Sequence, residues 1–373
     1  MGGYSRSLPG ETQGPMKPVG DFRVCIVPIT SGVGGMVSFR YKISAGLAAR
    51  GIQVTHDLSD KPYQAVLVIG GTRQLDKLWL ARRRGIPVVQ RLDGMNWLHR
   101  VPGSARLLNT GLRHFLRAEY GNAVLSFIRR NLASRVVYQS EFVHDWWERV
   151  RGTIAKPYSI IYNGVDLNIY SPDEGQNRPK DYIRLLMVEG SLMGGYELGL
   201  ESAIRLAEQI SELLKDSNKQ LPSKVELAVA GRVPQDIRRH WEQSSRVAVN
   251  WIGMVERERI PELDRSAHLL YSADINAACP NSVIEAMACG LPIVGFSTGA
   301  LPELVRGDAG RLAPYGGNPW RLEPPDTISL AKSALEILEN QERFRVAARE
   351  LAKAEFGLEK MVEKYLEALG GWT

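Results

Sequence analysis

The chain reads as two doubly wound α/β units placed one after the other. Its 373 residues exceed what one ordinary hydrophobic core organises. Two series of short apolar, β-branched runs alternate with amphipathic stretches, which predicts βαβ units and parallel sheets. Between the two series lies a Pro/Asp/Gly/Asn-rich stretch, residues 171–180, that suits a junction.

In the first series, strands are predicted at Val24–Ile29, Gln53–His56, Ala65–Ile69, Pro87–Gln90, Arg135–Tyr138 and Ser159–Tyr162. Helices such as Ser38–Arg50 and Gln74–Arg83 fall between them. The second series restarts with strands at Arg184–Val188, Glu226–Ala230, Val249–Ile252, His268–Tyr271 and Pro292–Phe296. The chain then closes on helical stretches, Thr327–Glu339 and Leu351–Leu369, with 3.6-residue periodicity. In open α/β sheets ligands bind beyond the C-terminal strand ends, so two such sheets offer a cleft between them.

Composition narrows the class. With 44% hydrophobic and 24% charged residues the chain is that of a globular protein, and no apolar run approaches the ~20 residues of a membrane span. Residues 1–20 read as a loose tail without the apolar core of a signal peptide. Arg6 stands where a myristoylation signal needs Ser or Thr. Three cysteines, Cys25, Cys279 and Cys289, make no disulfide framework and have no metal-ligand spacing, which predicts a reducing, cytoplasmic setting. No Asp-x-Asp element that would hold a metal is present. Net charge is +6, unevenly spread: seven arginines (100, 106, 113, 117, 129, 130, 135) face one acid, Glu119, between residues 100 and 135.

The stretch from Cys279 to Glu303 is the most informative. It spells a short turn, a helix with one carboxylate (Glu285) among Ile284, Ala286, Met287 and Ala288, a Gly-Leu-Pro break, an apolar strand and a second helix start. A carboxylate on an apolar helix is costly to bury alone, so Glu285 needs a ligand hydroxyl or a fixed donor. Pro280-Asn281-Ser282 opens that helix, and Pro suits its start because it has no N–H to leave unpaired. The amides near Asn281, Ser282 and Val283 can face an anion, or Asn281 or Ser282 can be a plain helix cap. Gly34-Gly35, after the first strand, either let a backbone approach a phosphate or sugar closely or form an ordinary tight turn.

These motifs, in this order, resemble the GT-B fold retaining glycosyltransferases of family 4 (glycosyl transferases group 1). The resemblance runs from about residue 22 onward through Gly34-Gly35, Leu47–Val54, Tyr162-Asn163-Gly164-Val165-Asp166, Val249–Val255 and the 279–303 block. It implies two Rossmann-like domains with a cleft between them: residues 21–170 as the acceptor-binding domain, joined by a C-terminal helix of about 356–373 that crosses back, and 171–355 as the nucleotide-sugar donor domain. It implies a metal-independent transfer of a sugar with retention at the anomeric carbon, with no cofactor beyond the nucleotide-sugar donor. Glu285, the second Glu of a Glu-x7-Glu motif, would hold the donor ribose hydroxyls, and an ionised carboxylate suits a cis-diol. Asn281, Ser282, Val283, Gly34, Gly35 and Met254 would join it in the donor site.

Three positions depart from the family pattern. The first Glu of Glu-x7-Glu is Ala277. The segment that supplies an Arg and a Lys to the diphosphate reads Gly190–Glu197 with Ser191 and no cation, which weakens donor binding and leaving-group stabilisation; Arg232 is the candidate substitute. The place of a family His after the fourth strand is taken by Arg91-Leu92-Asp93-Gly94, which makes Asp93 the candidate catalytic residue, with His99 close by in sequence. Front-side transfer, in which the leaving phosphate takes the acceptor proton, relies on positioning and charge stabilisation and suits a site without a catalytic His.

Arg106, Arg113 and Arg117 share one helical stripe beside Leu108, Leu112, Phe115 and Leu116, and Val124–Ile128 followed by Arg129-Arg130 repeats the theme. This surface suits anionic lipid headgroups at the inner membrane face or a phosphorylated acceptor, and equally a solvated helix face. The acceptor reading covers a glycan, a lipid-linked or a small-molecule acceptor. Nucleic acid is disfavoured, because no base-reading module accompanies the arginines. The alternative function is a non-catalytic GT-B nucleotide- or sugar-binding protein, or the partner subunit of an active transferase; a GT-B epimerase is a third.

Overall fold

A computed structural model describes residues 22–29, 32, 34–101, 111–173, 178–192, 197–215 and 221–370. The predicted N-terminal tail, Arg106, Leu108 and residues 193–196 lie outside the described residues.

Two parallel six-stranded sheets form the framework. The first contains β1 (Arg23–Val27), β2 (Gln53–Thr55), β3 (Ala65–Ile69), β4 (Val88–Leu92), β5 (Arg135–Tyr138) and β6 (Tyr158–Ile160), in the order β2-β1-β3-β4-β5-β6. The second contains β7 (Ile183–Ser191), β8 (Val225–Arg232), β9 (Ala248–Gly253), β10 (Leu269–Ser272), β11 (Ile293–Phe296) and β12 (Gly310–Ala313), in the order β12-β11-β10-β7-β8-β9. Every predicted strand is present within a few residues. The edge strand β12 escaped prediction because it is four residues long, two of them glycine-like in size (Gly310, Ala313), with no alternating pattern. The fold is GT-B.

Twelve α-helices connect and cover these strands among the described residues: α1 (Gly35–Ala48), α2 (Leu75–Arg83), α3 (Leu112–Phe127), α4 (Glu141–Arg151), α5 (Glu197–Lys215), α6 (Gln235–Ser244), α7 (Ile260–Ser266), α8 (Asn281–Ala288), α9 (Leu301–Leu304), α10 (Thr327–Glu339), α11 (Gln341–Glu355) and α12 (Leu358–Leu369). Central strands are apolar on both faces because helices cover both: Ala65–Ile69 is buried throughout.

The predicted continuous helix over 351–369 is two helices. Gly357 takes an extended conformation, and Phe356–Leu358 pair with Val165: the Val165 amide donates to the Phe356 carbonyl (2.8 Å) and the Leu358 amide to the Val165 carbonyl (2.9 Å). Upstream of the break, Ala348 and Ala352 belong to the second domain's core. Downstream, Met361, Val362, Tyr365, Leu366 and Leu369 are buried against α1 and the first sheet. The hydrophobic period continues through the break, so only the tertiary bridge at Val165 reveals it. The tail thus ties the two domains together, as the resemblance implied.

Candidate functional site

The C-terminal edges of both sheets border a cleft of about 1170 Å³. The first domain supplies Gly34, Gly35, Ser38, Arg91, Asp93 and Asn163, and the second supplies Glu189, Gly190, Gly231, Met254, Asp274, Asn281, Ser282 and Glu285.

Two helix N-termini converge there. α1 begins at Gly35 behind Gly34, and α8 begins at Asn281 behind Pro280; neither has a side-chain cap. Their first-turn amides lack helical partners and carry the positive end of the dipole. The two ends are close: a Cβ on Gly35 would sit 3.9 Å from the Asn281 Nδ2 atom. Gly34 has φ +148°, a conformation that L side chains rarely adopt. On the opposite wall Gly231 (φ +150°) passes so near the Glu189 carbonyl that a Cβ would lie 2.2 Å from its oxygen. The helix-capping reading of Asn281 and Ser282 is not what the structure has.

Glu285 has a fixed donor. Lys42, about two turns into α1, places Nζ 3.0 Å from Glu285 Oε1 and 2.9 Å from the Gly164 carbonyl. Both residues are 8% exposed. A second carboxylate of the same block also crosses the domains: Glu303 accepts from the Glu141 and Phe142 amides at the start of α4 (2.8 and 2.6 Å) and from the Tyr162 hydroxyl. Asn163 donates Nδ2–H to the Cys279 carbonyl (2.8 Å) and its Oδ1 accepts from Arg91 (3.0 Å). The Tyr162–Asp166 motif therefore clamps the two domains at the base of the cleft.

The predicted residues divide. Glu285, Asn281, Ser282, Gly34, Gly35, Met254 and Asp93 all line the cleft. Val283 is fully buried, so only its backbone can take part. Ser191 and Arg232 pair with each other at the ends of β7 and β8, and neither is among the lining residues. Ala277 is buried at 2% exposure. Its carbonyl accepts from the Ala300 amide (2.8 Å), and its methyl side chain offers no polar group to the cleft. His99 is no free imidazole: its Nε2 lies 2.7 Å from Glu119, which also takes Arg100.

Sequence reading did not single out Arg91, Arg257, Glu189 or Asp274, which line the cleft, or Lys42, which holds Glu285. Arg91 is buried under the Phe39 ring, and its Nε and one terminal nitrogen have no partner. Burial, reinforced by Asp274, pushes Glu189 up to about 8, and burial pushes Asp274 up to about 7. Burial likewise raises Asp93, with Arg91 opposing. Glu189 and Asp274 lie two and three residues before the motif positions that drew attention for what they lack, Ser191 and Ala277. Among the described residues no group of three or more His, Cys, Asp or Glu side chains is placed to hold a metal ion.

The basic segment is less uniform than its sequence. Arg129 is wholly buried and bonds Tyr138 Oη, the Gly152 carbonyl and Glu148. It is a core residue, not a surface cation. Arg113 and Arg117 are exposed on α3.

Comparison with known proteins agrees with this geometry. A family profile described as "Glycosyl transferases group 1" matches residues 195–340. N-acetyl-alpha-D-glucosaminyl L-malate synthase of Bacillus anthracis is 36% identical over 87 residues, 22% of this chain and only 20% of that protein's length. Sucrose-phosphate synthase from Thermosynechococcus elongatus superposes with a TM-score of 0.67 at 16% identity, covering 93% of this chain and 98% of that one. HepE of Anabaena, solved with UDP and glucose, gives 0.66 at 16% identity over 94% and 99%. The chain has the GT-B fold, and its second domain is of the group 1 glycosyltransferase type.

The raised carboxyls carry a pH signature. Their folded-state values lie above the unfolded ones of about 4, so the folded protein holds extra protons across that interval. The stability they contribute is present in full below about 4 and is lost as pH rises through 7 to 8. Thermal unfolding from pH 5.5 to 8.5 should show a falling Tm, and Glu189→Gln should flatten the fall above pH 7; an unchanged slope in that variant would contradict the assignment.

Proposed function

We propose that this protein is a retaining, metal-independent hexosyltransferase of family 4 type that moves a sugar from a nucleoside-diphosphate sugar to an acceptor. The observation that carries the reading is the convergence of two uncapped helix N-termini beside Glu285, in a cleft shared by both sheets. A diphosphate over those amides needs no helix cap to be displaced, and the dipoles supply the charge that Ser191 does not. Glu285, held by Lys42 through Oε1, offers its carboxylate to the ribose diol of the donor. Met254 lines the same wall.

In the transfer, the bond from the anomeric carbon to the leaving phosphate breaks as the bond to the acceptor oxygen forms on the same face. The acceptor proton passes to the leaving phosphate oxygen. Asp93 lies where it can orient a hydroxyl of sugar or acceptor, and Arg91 beside it offers positive charge to the leaving group. Relatives give the reading its substrates: HepE is solved with UDP and glucose, and the B. anthracis relative is named for adding N-acetylglucosamine to L-malate. UDP-sugars are therefore the donors to test first. The second reading, a nucleotide-binding protein without turnover, is favoured by the buried Ala277 and by Ser191. The three free, buried cysteines suit a reducing cytoplasm.

The exposed side of α3 adds a peripheral contact. Leu112, Leu116, Tyr120 and Phe127 form one exposed apolar stripe edged by Arg113 and Arg117. An apolar stripe flanked by cations suits an anionic bilayer surface. Leu116→Asp should abolish co-sedimentation with phosphatidylglycerol vesicles; binding that survives it would remove this contact from the account.

The donor site is tested by calorimetry with UDP and 2′-deoxy-UDP. Glu285→Gln should weaken UDP by about 30-fold, the equivalent of about 2 kcal/mol for a charge-assisted bond, and should erase the preference for the ribose form. Slow hydrolysis of a UDP-sugar by the wild type would favour the transferase; UDP binding with no turnover of any donor would favour the second reading. Absence of UDP binding would overturn both as far as UDP is concerned.

A further inference from the structure

We propose that a second chamber, opening from the cleft, is the acceptor subsite and that it selects acceptors carrying an anionic group, a carboxylate or a phosphate, alongside the reacting hydroxyl. The inference rests on the transferase reading and deepens it by naming the acceptor's chemistry.

The chamber has a volume of about 660 Å³, within the range of small-molecule sites. It meets the cleft at Asp93, Asp274 and Ala278, which line both spaces. A molecule in the chamber can therefore present one atom at the cleft while its body stays outside the donor's space.

Charge is arranged along the chamber in one direction. His114 and Arg117 line its outer part, on α3. Neither meets an acidic side chain among the described residues. The local acid, Glu119, is already taken by Arg100, His99 and Arg151, and the hydrogen bonds from Arg100 and His99 hold it down to about 2. Arg117 thus keeps uncompensated positive charge on the outer wall, with the His114 ring beside it as a hydrogen-bonding group. The inner end is closed by two carboxyl side chains, Asp93 and Asp274. An anion is drawn to the outer cation, while the two carboxyl groups at the inner end offer hydrogen-bonding partners suited to a hydroxyl, which leaves a hydroxyl as the group that faces the donor.

The middle of the chamber supports a small body. Trp97 offers an aromatic wall. Asn276, which also lines the chamber, is 6% exposed, holds φ +59° and has no partner for its Nδ2 atom. A buried, unpartnered amide donor on the wall is costly unless a ligand acceptor meets it. Donors at the outer and middle positions and carboxyls at the inner one describe a hydroxylated anion better than a neutral sugar.

The test uses the full chain with UDP-glucose and UDP-N-acetylglucosamine as donors. Acceptors are matched pairs: glucose 6-phosphate against glucose, glycerol 3-phosphate against glycerol, and L-malate against its dimethyl ester. The anionic member should be used at least tenfold better by kcat/KM. Arg117→Gln should raise its KM about tenfold and narrow the preference, while Arg238→Gln, a surface cation of the other domain, should change neither. Where a pair gives no transfer, tryptophan fluorescence of the UDP-loaded protein titrated with inorganic phosphate replaces it: saturable binding weakened about tenfold in Arg117→Gln supports the proposal. Competition by phosphatidylglycerol vesicles, but not by free glycerol 3-phosphate, would also support it and would identify the anion as a lipid headgroup. Equal use of neutral acceptors, or anion binding untouched by both Arg117→Gln and His114→Gln, would overturn it. Failure to bind UDP would instead strike the transferase reading, so the two failures are distinguishable.

Discussion

The ion pair between Lys42 and Glu285 is the interaction on which the cleft depends. It joins the first helix of one domain to the helix of the other that faces the ligand space. Breaking such a pair leaves a buried charge uncompensated, at a cost of about 3–5 kcal/mol. Here the cost would fall on domain orientation as well as on the site, because the same ammonium holds the Gly164 carbonyl in the segment that leads to the second domain. Asp264, buried near Glu285, does not compete for Lys42 as a second charge. Burial, reinforced by Glu285, lifts it well above the ordinary carboxylate range.

Around that pair the donor wall offers one lining cation among the described residues, Arg257, and backbone dipoles supply the rest. Two helix N-termini supply positive dipole ends, Gly34 holds a backbone conformation that L side chains rarely adopt, and Gly231 passes where a Cβ would strike the Glu189 carbonyl. Glu189 and Asp274 would oppose an anion if ionised, but burial keeps the proton on much of their population near neutral pH. Arg91 is the cation at the first-domain side, buried and under-used by its protein partners. The arrangement binds charge mainly with oriented dipoles, which need no desolvated counter-ion of their own.

Much of this was legible in the sequence. Alternating strand and helix patterns placed the ordered elements, and the glycine pair with the 279–303 block located the cleft. The need of Glu285 for a fixed donor or ligand followed from burial cost alone. The identity of that donor did not, because Lys42 is 243 residues away and looks like any helix lysine until the domains are docked. Arg129 looked like surface charge for the same reason: its partners Glu148 and Tyr138 come from other elements. The helix break at Gly357 was hidden because the apolar period runs through it, and the raised carboxyls were hidden because burial is not a local property.

A double-mutant cycle on Lys42 and Glu285 tests the central claim most directly. Unfolding free energies and UDP affinity would be measured for Lys42→Met, Glu285→Gln and the double variant. The account predicts that Lys42→Met alone is the most damaging to stability, by about 3–5 kcal/mol, and that adding Glu285→Gln recovers part of the loss, with a coupling of about 2 kcal/mol or more. It also predicts that Lys42→Met weakens UDP although Lys42 is not itself among the cleft-lining residues. Additive losses, with UDP affinity intact in Lys42→Met, would contradict it.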